Sequence, residues 1–450
     1  MAGKIRPKRP HRQSRRGLLW SASRATPQRV AVGLVVLLGV LTLWNTLAYP
    51  AGAGYDAHSH WEYADFLIDH HRLPHRNETP EYYSPPAYFA VAGAATWVGR
   101  QVGLGEPHKL GQLLNVPLAI GTALCVLGLA RLLWPRRPWL GVAAVAYLAL
   151  CPLLLKVSSM FHPEPSDLFV SALALYLAAR VLVRGLSWPS GIGLGIVLGI
   201  GELVRQFSLW TLAVVVLAFL AAGVRERRVL RPLAAALAVT AAISLPWYVY
   251  RAVHYRNAIF DRPHVQKPLF ERRPASFYLG TGLPYVFTAP YRPHYVNRVW
   301  PTTYSDLWGD WYGTWSWDRA DSPKPSRAQD VWLGFQDVLG ILPTVLAIGG
   351  WLALLFVALR RLDAPLLLPA LLPLAGLAGY FYFVISYPTP DGDVLKPMYM
   401  LTTAPGWAIA FGWAAERLGA RRPRVVVPVL VALGLLALPF LPYKGALGLG

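Results

Sequence analysis

Asp56 is the first acidic residue of the chain, and it stands just past the first long apolar run, within Tyr55-Asp56-Ala57-His58-Ser59-His60-Trp61. A carboxylate at the edge of a bilayer is costly to keep there, so its position asks for a reason. Two readings are open. Asp56 could be a general base that removes the proton of an attacking hydroxyl. It could instead cap a helix that starts at Ala57, because Asp is a favoured N-cap residue. His58 and His60 lie beside it and, with His162, could join it around a metal, but the spacing fits no metal signature.

Other polar groups recur at the ends of apolar runs. Glu164 and Asp167, in His162-Pro163-Glu164-Pro165-Ser166-Asp167, suit either the orientation of an acceptor or the capping of a helix. Arg251, Lys396 and Arg205 are candidate phosphate ligands; each taken alone also fits an anchor whose charge snorkels to the interface. The run from 304 to 317 alternates aromatics and acids. Its Tyr304, Asp306, Trp308, Asp310 and Trp311, with Tyr83 earlier in the chain, are candidates for contact with a sugar or a lipid head group. Aromatic planes flanked by carboxylates suit the apolar faces and hydroxyls of a sugar ring, whereas an interfacial aromatic belt would also place Trp and Tyr there. The chain has no P-loop, no dinucleotide-binding glycine motif and no GxSxG elbow.

The elements that must position these groups are membrane spans. The 450 residues are 55% hydrophobic and 15% charged, with a mean hydropathy of +0.37. A soluble domain carries roughly 25% charged residues. The net charge of +20 comes largely from Arg and Lys in short segments between apolar runs. That is the pattern of the positive-inside rule, and no basic stripe on a soluble fold points to nucleic acid. Cys125 and Cys151 both fall inside apolar runs and read as small core residues.

The expected fold class is an all-α polytopic membrane protein with about eleven transmembrane helices and interfacial helices in the first outer loop. A basic, disordered cytoplasmic tail is expected over 1–29. A single transmembrane domain then covers 30–450, with outer loops 50–109 and 251–330. The expected spans are 30–49, 110–133, 139–157, 168–183, 191–204, 207–223, 232–250, 331–359, 365–387, 398–418 and 425–441. The first is taken as a retained span, not a signal peptide. Residues 57–71 read as an amphipathic interfacial helix, and 85–103 as a juxtamembrane or shallow re-entrant one, because a crossing there would move the basic turns outside. On this topology Asp56, the 162–167 turn, the 251–330 loop and the 391–396 turn share the outer face.

In that order the pieces resemble the GT-C superfamily of membrane glycosyltransferases. They are Tyr55-Asp56 with a following His, Leu73-Pro74, the 83–88 helix start, His162-Pro163-Glu164, the 247–251 end of a span, the 300–310 loop and the acidic turn ending at Lys396. The nearest groups are the protein mannosyltransferase and aminoarabinose transferase types, which use phospholipid-carried sugars. The resemblance covers almost the whole chain after Arg29. It implies transfer of a sugar from a polyprenyl-phosphate donor to a lipid, glycan or protein acceptor on the outer face of the plasma (inner) membrane. It also implies a catalytic carboxylate in the first outer loop, here Asp56. Ala57 stands where many members carry a second acid, and the family's histidine is matched by either His58 or His60.

An inverting displacement needs one base and cations for the leaving phosphate. A glycosidase would want two carboxylates flanking the bond. No cofactor is required by this chemistry, though a divalent metal is compatible with it. The alternative is a transporter or lipid flippase without catalysis, which calls for a polar path at mid-membrane. The expected spans hold few interior charges.

Overall fold

The structure is a computed structural model that describes residues 14–185, 188–259, 272–317, 323–387, 394–421 and 423–438. Every regular element among the described residues is helical. Helix α1 (Ser14–Ala48) starts the chain. The amphipathic segment becomes α2 (Ala57–His70), followed by α3 (Ala87–Gln101). Next come α4 (His108–Leu113) and α5 (Asn115–Leu133), which continue one another as a single apolar rod of 26 residues. Helices α6 (Pro138–Ala149) and α7 (Pro152–Ser158) follow each other across a short break and are bent by 59°. The break falls where Pro152 begins a new helix at its first turn, the position where a missing N–H costs nothing.

Helices α8 (Glu164–Arg184), α9 (Trp188–Val204), α10 (Ser208–Arg225) and α11 (Leu230–His254) follow. Three short helices lie in the large loop: α12 (Ala275–Leu279), α13 (Tyr285–Thr288) and α14 (Val299–Trp308). The chain then re-enters the bundle through α15 (Arg327–Arg361) and α16 (Ala364–Ser386). A 3₁₀ turn (Pro397–Thr403) leads into α17 (Ala404–Arg421), and α18 (Pro423–Ala437) follows.

Two expectations change. The basic segment 1–29 was expected to be disordered, but α1 reaches back to Ser14, so 14–29 is helical, while 1–13 lie outside the described residues. Among the described residues, seven helices are long and apolar enough to cross a membrane, or eight if the bent α6–α7 pair is one span. The other expected spans coincide with α9, α17 and α18, of 17, 18 and 15 residues, which that measure leaves out. The segment 85–103 yields α3, at 15 residues shorter than the roughly 20 a crossing needs. It packs on α2, with Arg100 Nη2 2.7 Å from Asp65 Oδ1 and Nη1 3.0 Å from Asp69 Oδ1.

The two ends of the bundle differ in chemistry. At one end basic turns meet: Arg137 Nη1 lies 3.1 Å from Glu416 Oε2, and Arg225 donates to the Arg361 carbonyl at 2.6 Å. At the other end the acidic and aromatic turns converge, bridging residues hundreds of positions apart. Close helix approach in between depends on small residues. A side chain at Gly195 of α9, for instance, would meet the Ala236 carbonyl of α11 at 2.5 Å.

Candidate active site

The segment that carries Asp56 is tied down before the carboxylate is reached. Lys109 Nζ donates to the carbonyls of Thr46 (3.1 Å) and Tyr49 (2.6 Å), so it caps the C-terminus of α1. Tyr49 donates to the Thr314 carbonyl at 2.7 Å and stacks on Trp315 at 4.8 Å. Gly54 turns the chain at φ +105°, a conformation open to glycine. Tyr55 is buried and donates to both carboxylate oxygens of Asp306, at 2.7 and 2.9 Å.

Asp56 stands at the N-cap position of α2 with φ 51°, yet its side chain makes no capping bond. The carboxylate turns instead to Lys396, whose Nζ lies 2.7 Å from Oδ2. The Asp56 side chain is 42% exposed and that of Lys396 8%. Burial is the largest single influence on the Asp56 acidity and pushes it up, but Lys396, with His60 and His162, outweighs it and holds the carboxyl well below the usual range.

A second cluster adjoins it. Arg205 Nε and Nη2 each lie 2.9 Å from Glu164 Oε1, and Nη1 donates to Ser84 Oγ at 3.1 Å and stands 3.8 Å from Glu81 Oε2. Burial acts to lower the Arg205 pKa, and Glu164 with Glu81 outweighs it and raises it. This guanidinium, an expected phosphate ligand, is paired here with protein carboxylates. Glu164 also pairs with His162 Nδ1. His60 is buried edge-on to His162 at 4.5 Å, and neither of its ring nitrogens has a hydrogen-bond partner. Burial, then the neighbouring His162 and Arg205, push its pKa well below the usual value. His58 instead points away, exposed and paired with Glu62 at 3.0 Å. Of the two histidines left open by sequence, His60 is the one that shares the site.

Asp167 is buried and accepts from Ser208 Oγ. Glu202 accepts from the Tyr248 hydroxyl at 2.5 Å. Arg251, at the end of α11, is fully buried with Nε, Nη1 and Nη2 all lacking a hydrogen-bond partner. Trp247 lies under it at 5.7 Å, and Tyr248, Tyr255, Tyr387 and Tyr63 are its electrostatic neighbours. An unpaired guanidinium in such a place is a strong demand for an anion.

The aromatic and acidic run is placed otherwise than expected. Asp306, Trp308, Asp310 and Trp311 are each 0% exposed, so none offers a face to a sugar. Tyr304 is partly buried and donates to the Asp337 carbonyl at 2.6 Å. Tyr83 is partly buried beside Glu81, 3.3 Å from its Oε1. What organises the run is Lys156, which sequence reasoning passed over. It is fully buried, with Nζ 3.4 Å from Asp306 Oδ1 and 3.5 Å from Asp310 Oδ1. Its signal was available: a lone cation in the apolar run 139–157. Among the described residues no group of three or more His, Cys, Asp or Glu is arranged to hold a metal ion. Asp391 and Asp393 of the acidic turn lie outside the described residues.

No protein-family model and no curated protein matches the chain. Solved structures do match it. ArnT from Cupriavidus metallidurans, bound to undecaprenyl phosphate, superimposes with a TM-score of 0.50 over 88% of this chain at 16% identity. An oligosaccharyltransferase from Archaeoglobus fulgidus, in complex with zinc and sulfate, gives 0.54 over 91% at 16% identity. The archaeal oligosaccharyltransferase AglB from the same organism, with an inhibitory peptide and a dolichol-phosphate, gives 0.53 over 91% at 14% identity. The chain spans 62%, 52% and 55% of these three proteins, respectively. Identities this low speak for the fold alone: the chain shares an all-helical membrane bundle with these proteins.

Proposed function

We propose that the protein is an inverting glycosyltransferase that moves a sugar from a polyprenyl-phosphate donor to an acceptor hydroxyl. Asp56 is the general base, and Lys396 and Arg251 receive the leaving phosphate. The single observation that carries this reading is the Asp56–Lys396 pair, 2.7 Å long and closed between residues 340 positions apart. A proton acceptor and a cation are thereby side by side, with the carboxylate partly exposed. Undecaprenyl phosphate bound to ArnT and dolichol-phosphate bound to AglB support a lipid-phosphate ligand.

The step is a single displacement. The acceptor oxygen attacks the anomeric carbon while Asp56 takes its proton. The bond from that carbon to the phosphate oxygen breaks, and its electron pair leaves on the lipid phosphate. Lys396 and the unpartnered Arg251 stabilise that charge as it develops. Resting Asp56 is a weak base, because the ammonium beside it favours the ionised carboxylate. A donor phosphate competes for Lys396 and so strengthens the base when the substrate arrives. His60 and Glu164 stand behind Asp56 and help set the acceptor. The basic turns at the opposite end of the bundle, on the positive-inside rule, support a cytoplasmic position for that end, with the site on the extracytoplasmic face of the plasma (inner) membrane and the N-terminus inside.

The experiment is incubation of the purified protein with a panel of radiolabelled prenyl-phosphate sugars and candidate acceptors, scoring release of the lipid phosphate. Turnover that disappears in Asp56→Asn supports the reading. Lipid movement across vesicles without cleavage of any donor would replace it with a flippase.

A further inference from the structure

Lys156 is a fully buried cation with a dense set of partners. Its ammonium lies 2.9 Å from the Gly309 carbonyl, 3.0 Å from the Asp306 carbonyl and 3.1 Å from the Tyr55 hydroxyl oxygen. Those three acceptors match its three N–H donors. The carboxylates of Asp306 and Asp310 supply the opposite charge. Tyr55 completes the cluster by donating to Asp306, and Tyr55 is the residue immediately before Asp56. A buried charge is tolerated when it is paired and fully hydrogen-bonded, and then it fixes the geometry of whatever it holds.

The same turn holds the other end of the loop. Asp310 Oδ2 accepts the backbone N–H groups of Trp315 (2.8 Å) and Ser316 (2.6 Å), which shapes the turn against which Tyr49 stacks. Between these anchors, the Tyr312 ring meets Tyr55 edge-on at 5.6 Å and lies 5.9 Å from Lys396 Nζ. One turn thus seats both partners of the ion pair. Asp56 itself sits at φ 51°, a left-handed conformation that a non-glycine residue keeps only when its surroundings impose it.

Resting on the transferase reading for the role of Asp56, we infer that Lys156, Asp306 and Asp310 form a buried staple that, through Tyr55, holds the Asp56 carboxylate against Lys396. Lys156 and Tyr55 are positioning residues. The aromatic and acidic run is the platform for the base, not a sugar-binding face.

Tyr55→Phe is the sharpest test, because it removes only the hydroxyl that joins staple to loop and keeps the ring. Lys156→Met cuts deeper, and Tyr55→Phe stands if that variant does not fold. Tyr380→Phe, which removes another buried hydroxyl bonded to Thr303, is the control. Two readouts are taken. In donor turnover, Tyr55→Phe lowers kcat roughly 10-fold, as a small misplacement of a reacting group does, while binding of undecaprenyl phosphate, measured by competition, stays unchanged.

The second readout needs no activity. With Cys125→Ala and Cys151→Ala as background, Asp56→Cys and Lys396→Cys are joined by a short bis-methanethiosulfonate linker. The cross-linking rate falls several-fold when Tyr55→Phe is added and holds with Tyr380→Phe. An unchanged cross-linking rate in Tyr55→Phe overturns the staple, whatever happens to kcat. An unchanged kcat in an otherwise active enzyme overturns it as well. A parent that cleaves no donor, but whose cross-linking responds to Tyr55→Phe, leaves the staple standing and removes the transferase reading.

Discussion

Lys396→Met keeps an apolar stem of similar length and deletes the charge beside Asp56. Two unit charges 2.7 Å apart attract by about 1.5 kcal/mol even at the dielectric constant of bulk water. That corresponds to roughly one pKa unit. With the Asp56 side chain 42% exposed, the water limit is the right starting point, and any lower local dielectric adds to it. The sign follows from the causes. Burial raises the Asp56 pKa and Lys396 lowers it, so deleting Lys396 moves the carboxyl upward toward the ordinary value of roughly 3.9.

The base must be ionised to act. The parent therefore shows no acid limb in kcat/KM down to about pH 4, whereas Lys396→Met loses activity as pH falls through a limb at least one unit higher. Loss of a cation from the developing phosphate charge lowers kcat by roughly 10² to 10³ across the whole profile. Lys396→Arg keeps the charge and restores the flat acid side. The assay is the pH dependence of prenyl-phosphate release. A Lys396→Met enzyme with the parent's rate and the parent's profile would refute both the role of Lys396 and the account of the Asp56 pKa.

Three other substitutions probe separate parts of the site. Asp56→Asn lowers turnover by about 10² to 10⁴, the range for a general base, with no loss of folded protein in detergent size-exclusion profiles. Arg251→Met raises the thermal midpoint of the donor-free protein, because an unpaired buried charge is removed, a gain of about 1 to 4 kcal/mol. It also abolishes the added stabilisation that undecaprenyl phosphate gives the parent in the same melting experiment. Gly54→Ala, forced to adopt φ +105° with its Cβ 2.6 Å from Met160 Sδ, lowers kcat at unchanged donor affinity, read by steady-state kinetics beside ligand competition.

The sequence made the apolar runs legible because each is a local property of composition, and helices occupy every segment expected to cross. It marked Asp56, Lys396 and Arg251 as candidates because a charge at the end of an apolar run is expensive and so stands out. The distinction between Arg251 and Arg205 was out of reach. Both are cations at helix ends, and only the three-dimensional contacts give Arg205 the carboxylates of Glu164 and Glu81 and leave the Arg251 nitrogens without hydrogen-bond partners. The same limit affects the 304–317 run. Aromatics and acids in alternation suit a sugar face and a buried platform equally well until the cation that pairs with them is known. That cation, Lys156, lies some 150 positions away in the chain. The histidines illustrate a third case: His58 and His60 are two residues apart, and the helical turn that faces one of them to His162 sends the other to solvent.

The two phosphate cations of the proposed site differ in what they must give up to bind, and that difference sets an order. Arg251 is buried and its guanidinium nitrogens have no hydrogen-bond partner in the protein, so an arriving phosphate gains its interaction without breaking a protein ion pair. Lys396 must leave Asp56, which holds it at 2.7 Å. On the proposed mechanism the donor phosphodiester, which carries a single negative charge, settles on Arg251 first and competes with Asp56 for Lys396, and the second charge develops on the lipid phosphate only as the bond to the sugar breaks. Asp56 gains basicity only after the donor is seated. A water molecule or acceptor that enters early meets a carboxylate still satisfied by its lysine and too weak a base to activate it. If the proposed mechanism holds, this order predicts that donor hydrolysis without acceptor is slow, and it gives a reason for a carboxylate kept paired with a lysine at the edge of a membrane.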